Sequence, residues 1–343
     1  VVQIDSDGNG SVNITQTLNQ GESTHVDGGI QTGATVTASQ RVQVHLITGD
    51  IGTHYESRWY TLYPTEQWDD SYYSPVGTTP VDTHTGIGQE TYIFVYNPNG
   101  LPITVHYQTQ AGSGSFVVPA GGLYQYEMPD DSGAHFYTAD GSNFFAIATV
   151  GADPSVNNNT YDWGFTLVPE GNLTTVAVVG WGPGSSDLSA NGSPAWVMAV
   201  NPVTLYVDYD GDPTTGPLTD PHGNQYDVAY SLSAYQSQRV FDNSDNDQTG
   251  MRLYTVDDIL ITAAWGQDPA TAGPGNPYLD MGTSVLPLPL FSAWKEAVLC
   301  NDVSGNGVVD VGDTLVYTVT VSNDGTVILG NVVISDTLPA NTT

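Results

Sequence analysis

Thr91-Tyr-Ile-Phe-Val-Tyr-Asn97-Pro98 comes back later in the chain as Ala195-Trp-Val-Met-Ala-Val-Asn201-Pro202. Each is an apolar, aromatic and β-branched run halted by Asn-Pro, which reads as a buried strand ending in a turn. The surroundings repeat as well. Upstream stand Trp59-Tyr-Thr-Leu-Tyr-Pro64 and Trp163-Gly-Phe-Thr-Leu-Val-Pro169, with Pro64 33 residues before Asn97 and Pro169 32 before Asn201. Downstream come Ile103-Thr-Val-His-Tyr107 and Thr204-Leu-Tyr-Val-Asp-Tyr209, then Phe136-Tyr-Thr138 and Leu253-Tyr-Thr255. Both copies close on an Ala-rich strand and Gly-x-Asp-Pro: Ala146-Ile-Ala-Thr-Val-Gly-Ala-Asp-Pro154 and Ile261-Thr-Ala-Ala-Trp-Gly-Gln-Asp-Pro269. Ordered anchors at matched spacing mark an internal repeat. The spacing pairs Trp59 with Trp163, Pro64 with Pro169 and Asn97 with Asn201. Between Asn-Pro and Asp-Pro, copy two is 11 residues longer, and the excess falls in an acidic, Gly/Pro-rich loop, where sandwiches tolerate insertions.

Short strands separated by Gly, Pro, Asn and Asp clusters give an all-β fold of tandem β-sandwich domains, Ig-like or jelly-roll-like. The spacing places sandwich one at 1–155 and sandwich two at 156–290, with a linker and a partial Ig-like module over 291–343. The phase is open by one strand. Residues 34–50 resemble the closing strand of a further module, and Ser284-Val-Leu-Pro-Leu-Pro289 resembles the opening of a next one. The nearest thing to a helix is Ser292-Ala-Trp-Lys-Glu-Ala-Val-Leu299, two turns at most.

Composition narrows the function. The chain has 343 residues with 38 Gly, 21 Pro and 20 Tyr, a strand-and-turn composition long enough for two or three cores. Five basic residues face 37 acidic ones, a net charge of −32. That excludes nucleic acid, whose phosphates need Lys and Arg. Asp far outnumbers Glu, which points to turns and cation-binding loops; a salt-adapted surface is the other source of such charge. No run approaches the ~20 apolar residues of a membrane span. Without a signal-peptide pattern, the sequence is expected to be a mature chain or a fragment. The single cysteine, Cys300, has no internal partner and is expected to be a buried thiol.

The C-terminal stretch Gly307-Val-Val-Asp-Val-Gly-Asp-Thr-Leu-Val-Tyr-Thr-Val-Thr-Val-Ser-Asn-Asp-Gly325 reads as a glycine-rich acidic loop, an alternating strand and a turn. Asn331-Val-Val-Ile-Ser335 reads as the next strand, followed by Asp336-Thr-Leu-Pro-Ala340. Gly312-Asp-Thr-Leu315, Tyr317-Thr-Val319, Asn323-Asp-Gly325 and Asp336-Thr-Leu-Pro339 resemble the conserved-repeat domain (domain of unknown function eleven) of bacterial and archaeal surface proteins. That resemblance implies an Ig-like sandwich, of which only the first strands are present. Gly33-Ala-Thr-Val-Thr-Ala-Ser39, Val42-Gln-Val-His-Leu46, Tyr92-Ile-Phe-Val-Tyr-Asn-Pro98 and Val117-Val-Pro-Ala-Gly121 are similar to the N-terminal domain of the IgG-Fc-binding protein family. It implies a β fold and an extracellular setting. Strict alternation puts Leu315, Tyr317, Val319 and Val321 on one face with Val332 and Ile334 opposite, and buried side chains of this kind are worth roughly 1.5–3 kcal/mol each. A two-stranded piece cannot bury them alone. They are therefore the expected assembly interface, completed by Val1–Ile4 or Val12–Thr17 of a neighbour.

Four loops space oxygens as a hard cation requires. Asp302, Ser304, Asn306, Asp310 and Asp313 occupy positions one, three, five, nine and twelve of an EF-hand-like loop. Asp5, Asp7 and Asn9 begin another that lacks a twelfth carboxylate, having Gln16 there. Asp208, Asp210 and Asp212 form a third, with Asp220 downstream, and Asp242, Asp245 and Asp247 a fourth. Ca²⁺ fits such carboxylate sets better than Mg²⁺; the competing reading is ordinary Asp-Gly and Asn-Gly turns. No His-Glu-x-x-His, nucleophile elbow or other catalytic frame appears, so no enzyme is expected. Trp59, Tyr60, Tyr63, Trp68, Tyr72 and Tyr73 cluster either as core or as a sugar-stacking row. The reading is a calcium-stiffened structural protein of the cell surface, assembling with copies of itself into a filament or sheath. An adhesin or glycan-binding module is the alternative.

Overall fold

The structure, a computed structural model, describes residues 1–48, 58–78, 90–151, 163–182, 193–268, 282–285, 291–323 and 332–335. Regular structure among them is strand, apart from two single 3-10 turns. Asp153-Pro154 of the first repeat, Pro269 of the second and the stretch Asp336–Pro339 lie outside the described residues. At the N-terminus β1 (Val2–Asp5) is the middle strand of a three-stranded sheet, between β2 (Ile14–Gln16) and β3 (Thr35–Ala38). β4 (His45–Thr48) pairs with β5 (Arg58–Thr61).

The first sandwich comprises β6 (Ser71–Ser74), β7 (Thr91–Tyr96), β8 (Ile103–Thr109), β9 (Gly112–Val118), β10 (Leu123–Glu127), β11 (Ala134–Thr138), β12 (Phe145–Val150), β13 (Gly164–Thr166) and β14 (Val168–Pro169). One sheet runs β10-β7-β12-β13, the other β14-β6-β11-β8-β9. The second comprises β15 (Val176–Val178), β16 (Ala195–Ala199), β17 (Val203–Asp208), a small hairpin of β18 (Leu218–Thr219) and β19 (Gln225–Tyr226), β20 (Val228–Leu232), β21 (Gln238–Val240), β22 (Arg252–Tyr254), β23 (Ile261–Gly266) and β24 (Gly282–Val285). Its sheets run β21-β16-β23-β24 and β15-β22-β17-β20. Apart from β14, which adds a fifth strand beside β6, the two sandwiches have the same two strand orders. Thr91 stands opposite Val150 and Ala195 opposite Trp265, the residues just before Gly151 and Gly266. Asn97 and Asn201 therefore fall at equivalent places. The small hairpin is the insertion of copy two.

One pairing from the sequence is displaced by a residue. Pro64 and Pro169 each precede a single 3-10 turn, Thr65–Gln67 and Glu170–Asn172, and so are equivalent. Counting back puts Phe165 with Tyr60 and Trp163 with Arg58, not with Trp59. Burial agrees: Trp59 is 59% exposed, whereas Trp163 is fully buried. Because side chains alternate faces along a strand, a one-residue slip exchanges inside for outside. The strand phase left open in the sequence also resolves. β13 opens the second repeat, yet it hydrogen-bonds to β12 of the first sandwich. β24 stands in the same way on β23, and β5 on β4.

The two sandwiches are packed together. Tyr73, Val168, Leu173 and Met198 form one buried cluster between them. Gly133 donates its N–H to Tyr235 O (2.8 Å), Ser237 N–H to Asp131 O (3.1 Å), and Tyr235 Oη to Gln108 Oε1 (2.6 Å). Arg239 lies over the Trp196 ring and pairs with Asp131 of the first sandwich (2.7 Å) and the fully buried Asp268 of the second (2.8 Å). Asp131 and Tyr235 both adopt left-handed backbone, φ 54° and 59°, a costly conformation for tyrosine that the surrounding bonds hold in place.

β25 (Phe291–Asn301) and β26 (Thr314–Asn323) form a separate two-stranded sheet. Ser292–Leu299, the nearest thing to a helix in the sequence, is thus part of a strand. Two turns would be marginal as an isolated helix, whereas here ten residues find ladder partners on β26. The strand expected at Asn331–Ser335 does not form over its described residues, 332–335, and Val332, Val333 and Ile334 are exposed. β26 takes its partner from the chain before it.

Candidate cation loops and assembly surface

Residues 302–313 connect β25 to β26. The Asp302 carboxylate turns inward and accepts two backbone N–H groups, from Gly305 at Oδ1 and Gly307 at Oδ2 (both 2.6 Å). Gly305 and Gly307 have φ of 70° and 74°, which a side chain would oppose. Ser304 Oγ lies 3.2 Å from both Asp302 Oδ1 and Asp310 Oδ2, and Asn306 Nδ2 donates to Asp310 Oδ2 (3.0 Å). Asp313 closes the ring by accepting from Val303 and Asp310 N–H (2.9 Å each). Hydrogen bonds around the loop tie in all five residues expected there, without converging its three carboxylates on one point. The Gly307 N–H, followed by that of Gly305, outweighs burial and lowers the Asp302 pKa, so the loop holds its negative charge.

The N-terminal loop repeats the pattern between β1 and β2. Asp5 accepts from Gly8 (2.9 Å) and Gly10 (2.7 Å), again three and five residues on. Asp7 caps Asn9, and Asn9 caps Ser11. Gln16, at the twelfth position, is part of β2. In the fourth loop each carboxylate closes its own turn: Asp242 with Ser244, Asp245 with Asp247, Asp247 with Thr249. These three do not converge.

The third loop differs. Asp208, at the end of β17, is fully buried; its Oδ1 accepts from Gly211 N–H (3.0 Å), and its Oδ2 has no partner. Burial and the adjoining Asp210 carboxylate push its pKa up to about 6. Asp210 accepts the Thr215 hydroxyl, and Asp212 turns to Thr214. Asp220 is a separate, satisfied acceptor for His222, Asn224 and Tyr254. Among the described residues no three His, Cys, Asp or Glu side chains are gathered as a ligand set.

On β26, Leu315, Tyr317, Val319 and Val321 share one half-buried face, opposite Leu299, Ala297, Lys295 and Ala293 of β25. Lys295 Nζ stands 4.3 Å over the Tyr317 ring. Val332 and Ile334 are not on this sheet. Cys300 sits at an irregularity in the ladder and is exposed, not buried. Of the aromatic cluster, Tyr60, Tyr72 and Tyr73 are buried, Tyr63 and Trp68 are half-buried with Trp68 stacked on Phe145, and Trp59 faces out. The rings therefore serve mainly as core. Ser71 Oγ lies 2.8 Å from His135 Nε2, a contact the sequence did not suggest because 64 residues separate them. Burial pushes the His135 pKa down to about 4, too weak a base to activate a serine at neutral pH.

No protein-family model and no curated protein matches the chain. Among solved structures, an anti-sigma factor domain-containing protein from Clostridium clariflavum aligns over 83% of this chain and 98% of its own, with 11% identity and a TM-score of 0.15. That is below any shared fold. No helix among the described residues is long and apolar enough to cross a membrane.

Proposed function

We propose that this chain is an extracellular structural protein, a subunit of a cell-surface filament or sheath that assembles head to tail by strand complementation and is stiffened by calcium in its Asp-rich loops. The observation that carries the reading is the β25–β26 sheet. Its strands are long, its outer edges have no strand partner among the described residues, and one face carries Leu315, Tyr317, Val319 and Val321 only half covered. Edges and faces of this kind invite a strand from another chain. The molecule already uses the device internally, since β13 of one repeat completes a sheet of the other. The expected donor narrows. Val1–Ile4 falls largely in β1, which is paired on both sides, whereas β2, within Val12–Thr17, keeps a free edge. A heterologous contact between unlike ends does not close and so propagates. Calcium in the 302–313 loop would hold the two strands of the acceptor in register.

The test is deletion of residues 311–343 followed by sedimentation and electron microscopy in calcium. The full chain should polymerise and the truncated one remain monomeric. Filaments of unchanged length from the truncated chain would overturn the assembly reading.

A further inference from the structure

The third loop carries an inference that rests on reading the Asp-rich loops as cation loops and deepens it, by giving this loop its own pair of ligands and a role. Asp208 is the register equivalent of Gln108 in the first sandwich: Tyr206 stands opposite Tyr254 as His106 stands opposite Tyr137. Gln108 is neutral and spends its oxygen on the Tyr235 hydroxyl. Its counterpart in copy two is a carboxylate buried without exposure, with an unpartnered Oδ2. An unpaired buried acceptor is costly, and a buried charge more so. The opposing basic residue on β22, Arg252, does not relieve it; its guanidinium lies 4.1 Å over the Tyr254 ring. The neighbours that do face Asp208 are further oxygens. Asp210 adjoins it, and Asp227 reaches in to accept Tyr209 N–H (2.8 Å). Gly250 O lies 2.5 Å from where a Gly211 Cβ would stand, so the 249–250 turn packs directly on the loop that follows Asp208. Gly211, at φ +72°, leaves room for that approach.

We infer that Asp208 and Asp210 bind a divalent cation, calcium by its preference for carboxylate and carbonyl oxygens, which fastens the 209–227 insertion of copy two to the end of β17. The two carboxylates supply the protein oxygens, with Asp227 adding negative charge beside them and water completing the set. The insertion starts at this point; its small hairpin is held further on by Asp220, which accepts the Tyr254 hydroxyl, and by Tyr226, whose ring packs edge-on against Tyr206 of β17. The first sandwich lacks both the insertion and the carboxylate.

The experiment compares three full-length proteins stripped of metal and titrated with CaCl₂: the parent, Asp208→Asn, and Asp302→Asn with Asp310→Asn. Calorimetry reads the number of bound ions, Tb³⁺ luminescence excited through the aromatic rings reads the site near Tyr209 and Tyr254, and thermal scans read Tm. Asp208→Asn should bind one ion fewer than the parent, lose the Tb³⁺ signal, and forfeit a calcium-induced Tm rise on the order of 5 °C. In chelator it should melt no lower than the parent, because the buried charge has gone. The double variant should keep the Tb³⁺ signal. Equal ion counts and equal calcium-induced Tm rises in the parent and Asp208→Asn would overturn this inference. Loss of an ion only in the double variant would do the same, while leaving the reading of the 302–313 loop intact. Should Asp208→Asn fail to fold, the more exposed Asp210→Asn must show the same loss, and its retention of the ion would be equally decisive.

Discussion

A single side chain shows how far the sequence could be followed. Trp163 is fully buried, donates Nε1–H to Gln267 O (2.9 Å), and lies so close to two glycines that a Cβ on Gly266 would stand 2.5 Å from its ring and one on Gly282 1.9 Å. The glycine of Gly-x-Asp-Pro was legible as a turn signal. Its use as the seat of an indole was not, because that ring comes from a strand lying more than a hundred residues upstream. Gly266→Ala should therefore cost about 1–3 kcal/mol, the range for overpacking a filled core, and a denaturant titration would measure it. His135 gives a second expectation. Burial lowers its pKa from 6.5 to about 4, so the unfolded chain takes up the proton first. Stability from this site is complete above pH 6.5 and is lost as pH falls towards 4. A plot of Tm against pH across that window should be steeper for the parent than for His135→Gln, and identical slopes would remove histidine from the account.

At the scale of elements, the repeated anchors gave the strands and their order, because alternation and Asn-Pro or Gly-x-Asp-Pro stops are local signals. What they could not give was which neighbour each strand would choose. The Trp59–Trp163 pairing failed by one residue since matching residue names ignores the two-residue period. Ser292–Leu299 and Asn331–Ser335 were misread because a short segment takes its conformation from its partner, and β26 had two candidates. The acidic loops were legible as places, from the spacing of their Asp, Asn and Gly residues; that Asp302 and Asp5 turn in on the glycines three and five residues on appears only in the structure. The orphaned oxygen of Asp208 was not legible either, since burial depends on the whole sheet. One expectation belongs here. If Asp302 organises the connection between β25 and β26, Asp302→Asn should quicken amide exchange along β26, with β7 and β12 unchanged. Uniform exchange in both proteins would mean that the ladder needs no help from the loop.

At the scale of the molecule, the junction should make the two sandwiches unfold together. Arg239 joins Asp131 of one to the buried Asp268 of the other. Removing the arginine takes the charge partner of a buried carboxylate, a loss of up to about 3–5 kcal/mol for pairs of this kind. Arg239→Ala should therefore lower Tm and divide one calorimetric transition into two; a single transition at the parent's temperature would show that the apolar cluster alone suffices. Charge acts over the same distance. With a net charge of −32, the folded chain repels itself, and Tm should rise between 20 mM and 200 mM NaCl as screening shortens. The displaced boundary, with β13 opening one repeat while finishing the sheet of the other, bears finally on how such a chain can change in length through its gene. A duplication that copies the stretch from an opening strand to a closing strand inserts a unit whose first strand completes its predecessor and whose last strand is completed by its successor. Every sheet stays whole whatever the number of copies. A duplication cut along the visible outline of one sandwich would carry β13 with the wrong unit and leave the next without its opening strand. Growth and shrinkage are thus harmless in one reading phase and ruinous in the others.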